Sequence, residues 1–355
     1  MRATIKDIAE RVGVSKSLVS MYLNKHPLSA RIAEKTKKKI EEAVREMNYQ
    51  PSVTARALKN GKSKTIGLVI AEISGIYSSF YAQSLLNEAL KYNYQLFISL
   101  TRFNQEEEKN CLENLINRQT DGTIYNPTLI PDERIRKILS DYPILLSNIV
   151  LPEYNSYTLE YQPALEQAFS ELKKAGCKRI CGLFMSQTDL WTILSQKLCR
   201  EFQMDFNLLL HHRNTAAEIY EKLSQCKPDC VICTSSIMPN KIICYCQENG
   251  IVEIPRFVYS YTLPNDFIDH GAVFGVIVNP FKAQVKERMA RIVEMIEHPG
   301  TEITHLTIPT RYLKPEEVRE YYKKQAEDPY YRTIIEERGY FLNKEPISKV
   351  LALSC

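Results

Sequence analysis

The sequence predicts a small all-α helix-turn-helix domain followed by an α/β region built on parallel sheets. Two observations predict this fold class. Apolar residues recur at helical spacing in two short segments, Ile5 to Val12 and Leu18 to Leu23. From Thr65 onward, apolar runs of strand length alternate with helical segments, and this order places helices on both faces of a parallel sheet. The length of 355 residues allows two or three domains.

The helix-turn-helix prediction begins with an apolar stripe formed by Ile5, Ile8, Ala9 and Val12. Thr4 is placed to cap this helix, with Asp7 as its reciprocal partner, and Gly13 ends it. Ser15 is placed to cap a second helix, whose apolar positions are Leu18, Val19, Tyr22 and Leu23. Two short helices joined by a turn that contains Gly form a helix-turn-helix.

In that motif the N-terminal part of the second helix faces the major groove of DNA. Lys16 and Ser17 are therefore the candidates for reading base edges, and Ser20 is the candidate for holding a phosphate. The remaining candidate DNA contacts in this region are Thr4, Met21, Lys25 and His26.

Charge is distributed as a DNA-binding module requires. Residues 1–64 carry 15 Lys and Arg against 6 Asp and Glu, a net charge of +9, whereas the other 291 residues carry 31 against 36, a net charge of −5. A basic end on a mildly acidic body fits a phosphate-binding module joined to a sensor.

Further motifs follow in order: Ile32-Ala-Glu-Lys-Thr36, Met47-Asn-Tyr49, Gln50-Pro51, Ala55-Arg56-Ala57-Leu58 and Ile66-Gly67. With the helix-turn-helix before them, residues 4 to about 68 resemble the LacI/GalR family of bacterial transcription regulators. The resemblance implies a homodimer that binds a double-stranded DNA operator, and a hinge helix over residues 52–58 in the minor groove. Arg56 and Leu58 match the positions that matter in that hinge. Met21 stands where the family commonly has Arg, and Leu18 where it commonly has Thr.

The α/β region is predicted as a series of strands and helices. Strands are predicted over residues 65–71, 95–100, 122–125, 144–147, 179–184, 230–233 and 256–259. Helices are predicted over residues 79–92, 106–118, 163–175, 191–202 and 240–249. The family resemblance implies that these elements form two doubly wound parallel-sheet subdomains, a periplasmic-binding-protein-like core with a cleft between its lobes.

Candidate effector-binding residues follow from the rule that ligands of open α/β sheets bind beyond the carboxyl ends of strands. They are Ser74, Tyr77, Phe80, Tyr125 and Asn126 in the first half, and Gln187, Trp191, Ser235, Ser236 and Tyr261 in the second. Family members that bind sugars or purines carry polar anchor residues in three regions of this core. In this chain the corresponding regions read Ile193 to Lys197, Ser235-Ser236 and Tyr259 to Thr262, so the anchors are absent. A more aromatic ligand, a protein partner and no ligand at all remain open.

Other classes of protein are disfavoured. The ten cysteines are interpreted as reduced thiols that pack in the core rather than as a metal site, because Cys230 and Cys233 should lie on opposite faces of one strand. No cofactor and no metal are predicted. An enzyme would need a convergent nucleophile, base or metal, and a solute-binding protein would need an export signal; neither pattern is recognised. No apolar stretch approaches the roughly 20 residues of a membrane span.

These observations divide the chain into four predicted regions. They are a DNA-binding domain (1–50), a hinge helix and linker (51–64), a two-lobed effector-binding and dimerisation core (65–313) and a C-terminal extension (314–355). The extension has a predicted helix over 315–327 and lacks the Leu heptads of a coiled coil, so it should pack on the body or on a partner. The predicted function is a cytoplasmic, nucleoid-associated repressor; the alternative is a DNA-binding factor that is ligand-independent or controlled by a protein partner.

Overall fold

The computed structural model describes residues 3–24, 26–49, 61–74, 76–128, 130–140, 142–187, 189–211, 214–262 and 270–331. The chain forms two compact units. The first comprises Met1–Thr65 and Gln119–Asp121, and the second comprises Ile66–Arg118 and Gly122–Cys355.

The first unit contains three α-helices, α1 (Ile5–Val12), α2 (Lys16–Leu23) and α3 (Glu34–Glu46), and a short 3₁₀ helix (Pro27–Arg31) before α3. The helices share a small apolar core made of Ile8, Ala9, Val19, Ile40 and Ala43. An ion pair between Arg11 and Glu46, at 3.1 Å, also links α1 to α3. The two helices of the predicted motif are confirmed, and the third packs against them.

The second unit contains two six-stranded sheets, which we call the first-lobe and second-lobe sheets. The first has the order β2-β1-β3-β4-β5-β11 and the second has the order β7-β6-β8-β9-β10-β12. The first-lobe strands are β1 (Thr65–Ile70), β2 (Gln95–Leu100), β3 (Gly122–Tyr125), β4 (Ile144–Ser147), β5 (Asn155–Glu160) and β11 (His305–Pro309). The second-lobe strands are β6 (Arg179–Phe184), β7 (Asp205–Leu210), β8 (Cys230–Cys233), β9 (Phe257–Tyr261), β10 (Val273–Val278) and β12 (Arg311–Leu313).

Helices cover both faces of each sheet, as predicted for doubly wound α/β lobes. On the first-lobe sheet, α4 (Ile76–Lys91) and α11 (Phe281–Glu297) pack on one face, and α5 (Gln105–Asn117) and α6 (Glu133–Leu139) pack on the other. On the second-lobe sheet, α7 (Gln162–Lys174) and α8 (Leu190–Phe202) lie opposite α9 (Ala216–Cys226), α10 (Ile237–Glu248) and α12 (Pro315–Glu327). Within the described residues, none of the helices is both long and apolar enough to cross a membrane.

The chain passes between the lobes at the carboxyl ends of strands. It leaves β5 at Glu160 for the second lobe, returns after β10 through Asn279 and Pro280, and leaves β11 at Pro309 for β12. The pairing of β12 with β10 is antiparallel, because the chain re-enters the second lobe directly rather than through a helix. The carboxyl edge of the first-lobe sheet therefore borders the second lobe.

Several elements of the second unit were absent from the sequence prediction. They are β5, β7, β10, β11, β12, α6, α9 and α11. Cys230 and Cys233 do lie on opposite faces of the second-lobe sheet, in two different apolar clusters. The cysteines of the described residues are free thiols, and no three His, Cys, Asp or Glu side chains there are grouped as a metal site would require.

Candidate DNA-binding helix and ligand cavity

The amino end of α2 is the candidate DNA-reading surface, and two local interactions form it. Gly13 adopts the left-handed conformation, with φ of 75°, which allows the chain to turn sharply after α1. The Ser15 hydroxyl then accepts a hydrogen bond from the Leu18 amide at 3.2 Å and so caps α2. Lys16 and Ser17, the first two residues of α2, are exposed, whereas Val19 is buried. The predicted base-reading residues are thus free of core contacts.

Ser20 and Met21 lie one turn further along α2 and are half-buried. The side-chain amide of Asn24 donates to the Ser20 carbonyl at 2.7 Å and to its hydroxyl at 3.2 Å. Ser20 therefore takes part in the end of α2 and is less accessible than Lys16 and Ser17.

Two other candidate DNA contacts serve as helix caps. The Asp7 carboxylate accepts hydrogen bonds from the Thr4 amide and hydroxyl, both at 2.8 Å, and these bonds lower the pKa of Asp7. His26 caps the 3₁₀ helix, because its Nδ1 accepts a hydrogen bond from the Leu28 amide at 3.2 Å. Both residues are exposed, so capping leaves them accessible. Lys25, Arg56 and Leu58 lie outside the described residues.

The junction that follows the predicted hinge is held by Asp121. Its carboxylate accepts hydrogen bonds from the Ser63 amide at 2.7 Å, the Ser63 hydroxyl at 2.9 Å and the Lys64 amide at 2.9 Å. The Asp121 amide in turn donates to the Thr65 carbonyl at 2.8 Å. These bonds fix the chain at the end of the first unit.

In the second unit, a cavity of about 220 Å³ lies at the carboxyl edge of the first-lobe sheet. This edge borders the second lobe, which is where ligands of open α/β sheets bind. The cavity is lined by Ile70, Ala71, Glu72, Tyr77, Ser78, Tyr81, Phe103, Asn126, Ser147, Asn148 and Arg288. They come from the ends of β1 and β4, the loops after β2 and β3, and helices α4 and α11.

Arg288 is the cationic residue among the described residues that line this cavity. Its side chain is only 2% exposed, and its guanidinium lies over the rings of Tyr157 and Tyr81, at 4.2 and 5.2 Å from the ring centres. Burial raises the pKa of Tyr157, so this phenol stays neutral and can donate a hydrogen bond. The arrangement places one permanent positive charge beside neutral donors.

The predicted effector residues are distributed between the cavity and the cores. Tyr77 and Asn126 line the cavity, and Ser74, which is exposed, bonds to the cavity residue Glu72. Phe80 and Tyr125 are buried on opposite faces of the first-lobe sheet. Phe80 stacks on Phe281 at 5.0 Å, and the Tyr125 hydroxyl donates to buried Glu108 at 2.7 Å.

The candidates of the second lobe do not line this cavity. Trp191 and Tyr261 are buried in the two apolar clusters of the second-lobe sheet, where Trp191 contacts Tyr161 and the Tyr261 hydroxyl donates to Gln325 at 2.8 Å. Gln187 is exposed, Ser235 is half-buried and Ser236 is buried.

Sequence reasoning missed Arg288, because α11 was not predicted. The signal is present in the chain, since Phe281, Val285, Met289 and Ile292 form an apolar stripe at helical spacing. Arg288 lies within that stripe, three residues after Val285. A charged residue on the apolar face of a helix indicates either a buried ion pair or a ligand site.

Comparison with known proteins agrees with both units. Residues 4–52 match the family described as "Bacterial regulatory proteins, lacI family". The chain is 37% identical to the sucrose operon repressor of Klebsiella pneumoniae over 145 residues, which are 41% of this chain and 43% of that protein. It is 28% identical to catabolite control protein A of Staphylococcus epidermidis over 269 residues, or 72% of this chain and 80% of that protein.

The fold is similar to that of the lac repressor dimer bound to operator and the anti-inducer ONPF. The TM-score is 0.72 at 17% identity, and the match covers 88% of this chain and 98% of that chain. Among the curated relatives, the match spans less than half of the sucrose operon repressor and four fifths of catabolite control protein A.

Proposed function

We propose that this chain is a transcription repressor of the LacI family that binds a specific DNA operator, because residues 4–52 match the bacterial regulatory proteins of that family. The observation that carries the proposal is the amino end of α2, where Lys16 and Ser17 are exposed on a capped helix. In a helix-turn-helix this end of the second helix contacts base edges in the major groove. The net charge of +9 over residues 1–64 supports binding to phosphates.

We propose further that the repressor acts as a homodimer on a pseudo-palindromic operator, in the cytoplasm and associated with the nucleoid. Two identical headpieces read two half-sites related by two-fold symmetry, so protein symmetry should be matched by operator symmetry. Arg56 and Leu58 are proposed to contact the minor groove, where an apolar side chain inserted between base steps bends the duplex.

The second unit is proposed to be the sensor. A ligand changes operator affinity only by the difference between its affinities for the two conformations of the repressor. The cavity that contains Arg288 supports control by a small molecule. It disfavours the alternative, a ligand-independent or protein-controlled factor with a degenerate cleft. Operator binding that no small molecule alters would favour that alternative.

Selection of binding sites from random duplex DNA tests the function. We expect enrichment of a two-fold symmetric site at near-physiological salt, because base contacts add specificity to the salt-sensitive binding of phosphates. Binding that is sensitive to salt but enriches no site would overturn the proposal.

A pair of lysine variants tests the assigned surface. Lys16→Ala should weaken binding to the selected site by roughly tenfold to a hundredfold and relax its sequence preference, since a good base contact contributes about 1–3 kcal/mol. Lys174→Ala is the matched control, because Lys174 is an exposed lysine of the second unit that pairs with Glu171. If the two variants bind alike, Lys16 does not read the operator.

A further inference from the structure

Two buried arginines on α11 have contrasting surroundings. Arg291 is fully satisfied: its Nε and Nη2 donate to the Asn155 side-chain oxygen at 3.2 and 2.6 Å, and its Nη1 bonds to the Glu294 carboxylate at 2.8 Å. Its Nη2 also donates to the Glu302 carbonyl and the Thr304 hydroxyl. Each guanidinium nitrogen of Arg291 has a partner, and one partner is an anion. This arginine ties α11 to the edge of the sheet.

Arg288 lies one turn earlier on the same helix and lacks such partners. Its Nη1 donates to the Gln284 side-chain oxygen at 3.2 Å and its Nη2 to the Asn148 side-chain oxygen at 3.4 Å. Its buried Nε has no hydrogen-bond partner. Both bonds are longer than the roughly 2.7–2.9 Å of charge-assisted bonds to anions. Among the described residues, no carboxylate forms an ion pair with Arg288.

The two tyrosine rings compensate this charge only in part. Cation–π contacts with Tyr157 and Tyr81 are attractive, but neither ring carries a negative charge at neutral pH. A guanidinium removed from water without an anionic partner destabilises the fold that holds it. Arg288 thus carries a buried positive charge that no carboxylate of the described residues neutralises.

Other polar atoms beside Arg288 are also unsatisfied. The hydroxyls of Tyr81, Tyr157 and Ser147 are buried and make no hydrogen bond. Tyr81 and Ser147 line the cavity with Arg288, and Tyr157 contacts the guanidinium. Buried polar groups are normally paired, so this cluster of donors beside one cavity is suited to a bound acceptor. A carboxylate could accept several of these hydrogen bonds, because each of its two oxygens has two lone pairs.

We propose that this cavity binds the carboxylate of a small organic acid, with Arg288 as its counter-ion. The inference rests on the proposed sensor role of the second unit and specifies its ligand class. Arg288 is the one cation among the lining residues, and Glu72 adds a carboxylate there, so the site accommodates one negative charge better than two. The volume of about 220 Å³ is sufficient for a compact molecule.

The walls of the cavity define the rest of the ligand. Its apolar lining consists of Ile70, Ala71, Tyr77, Tyr81 and Phe103. This surface suits a short apolar or aromatic body attached to the carboxylate. Benzoate is therefore a suitable probe, and benzamide is its neutral isostere.

Thermal unfolding of the 355-residue chain tests the proposal. Benzoate should raise Tm progressively with concentration, because a ligand that binds only the folded state stabilises it. Benzamide should raise Tm far less, and Arg288→Met should abolish the benzoate shift. Arg288→Lys, which keeps the charge but loses the two-pronged donor geometry, should reduce it. The carboxylate assignment would be overturned if inorganic phosphate raised Tm while benzoate, acetate and propionate did not. It would also be overturned if none of these anions changed Tm.

A second comparison separates a ligand site from a structural arginine. In buffer without organic acids, Arg288→Met should leave Tm unchanged or raise it, because an unpaired buried charge is replaced by an apolar side chain. Arg291→Met on the same helix is the matched control and should lower Tm by roughly 10 °C, since it leaves paired groups without partners. An equal fall in both variants would show that Arg288 is structural and would refute the inference.

Operator binding distinguishes failure of this inference from failure of the proposed function. If a symmetric site is selected but no carboxylate changes Tm, the repressor function stands and the ligand assignment fails. If benzoate raises Tm through Arg288 but no site is selected, the ligand assignment stands and the repressor function fails.

Discussion

Lys282 and Asp328 connect the first turn of α11 to the end of α12. The Lys282 ammonium lies 2.7 and 3.0 Å from the two carboxylate oxygens of Asp328. Before this ion pair, α12 packs on the second lobe through buried Val318; after it, Tyr331 is buried in the first-lobe core. The C-terminal segment therefore returns to the first lobe and forms a further connection between the lobes, beside the crossovers near residues 161, 280 and 310.

Removal of the Tyr331 ring should weaken this connection. Tyr331 packs with the first-lobe core, and its hydroxyl accepts a hydrogen bond from the Lys282 amide at 3.3 Å. Tyr331→Ala should destabilise the second unit by about 3–5 kcal/mol, as expected when a buried aromatic side chain is truncated. Urea unfolding measures this loss. Tyr92→Ala is the control, because Tyr92 is exposed and its loss should change stability by about 0.5 kcal/mol or less. If the two variants lost the same unfolding free energy, the C-terminal segment would contribute nothing to the stability of the second unit.

The ion pair itself predicts a dependence on pH. The hydrogen bond from Lys282 holds the pKa of Asp328 below its ordinary value of 3.8. Because the pKa is lower in the folded than in the unfolded chain, the carboxylate stabilises the fold above the unfolded value. This contribution is lost as pH falls through the folded pKa.

Thermal unfolding of the wild type and Asp328→Asn as a function of pH measures this contribution. The wild type should be the more stable of the two near neutral pH, and its advantage should shrink as pH falls below about 4. A difference that does not depend on pH would mean that the carboxylate charge is not what stabilises the contact.

The elements that the sequence predicted well are those with strong local signals. The helices of the first unit have caps at Thr4 and Ser15 and a break at Gly13, and all three act as predicted. The last helix was predicted over 315–327 and is observed as Pro315–Glu327, because Pro315 begins it and Asp328-Pro329 stops it.

The elements that were missed depend on tertiary context. The strand β7, Asp205–Leu210, lies at the edge of its sheet, and β11, His305–Pro309, has exposed residues alternating with half-buried ones. Neither forms a continuous apolar run. The cavity was predicted only in part. The rule about strand ends finds Tyr77 and Asn126 but not Arg288, because Arg288 lies on α11, where the chain has returned from the second lobe. Phe80 and Tyr125 were selected as aromatic residues after strands, yet packing within the lobe buries them.

The cap of α2 provides a prediction that links stability to DNA binding. Ser15→Ala should destabilise the first unit by about 1 kcal/mol, because the Leu18 amide loses the Ser15 hydroxyl as an acceptor and keeps only the Ser15 carbonyl. Ser15→Asp should keep the cap and the stability. It should nevertheless weaken DNA binding, because a carboxylate beside Lys16 repels phosphates. Chemical unfolding and operator titration of the two variants separate these effects. If Ser15→Asp and the wild type bind DNA with equal affinity, the phosphates of DNA do not lie near Ser15.

Tyr125, the last residue of β3, tests whether this aromatic side chain contacts the ligand or stabilises the fold. Its hydroxyl donates to Glu108, which is fully buried and also accepts a hydrogen bond from the Thr128 amide at 2.7 Å. Tyr125→Phe leaves that buried carboxylate with one donor fewer, so we expect a loss of about 2–3 kcal/mol in unfolding free energy. The benzoate-induced Tm shift should persist, because Tyr125 does not line the cavity.

Tyr154→Phe is the matched control for this change. The Tyr154 hydroxyl donates to the neutral Arg136 carbonyl at 2.9 Å, so its removal should cost about 1 kcal/mol. A larger loss for Tyr125→Phe than for Tyr154→Phe would confirm that the carboxylate of Glu108 makes the difference. Loss of the benzoate response in Tyr125→Phe, with stability unchanged, would instead assign Tyr125 to the ligand site, as the sequence first indicated.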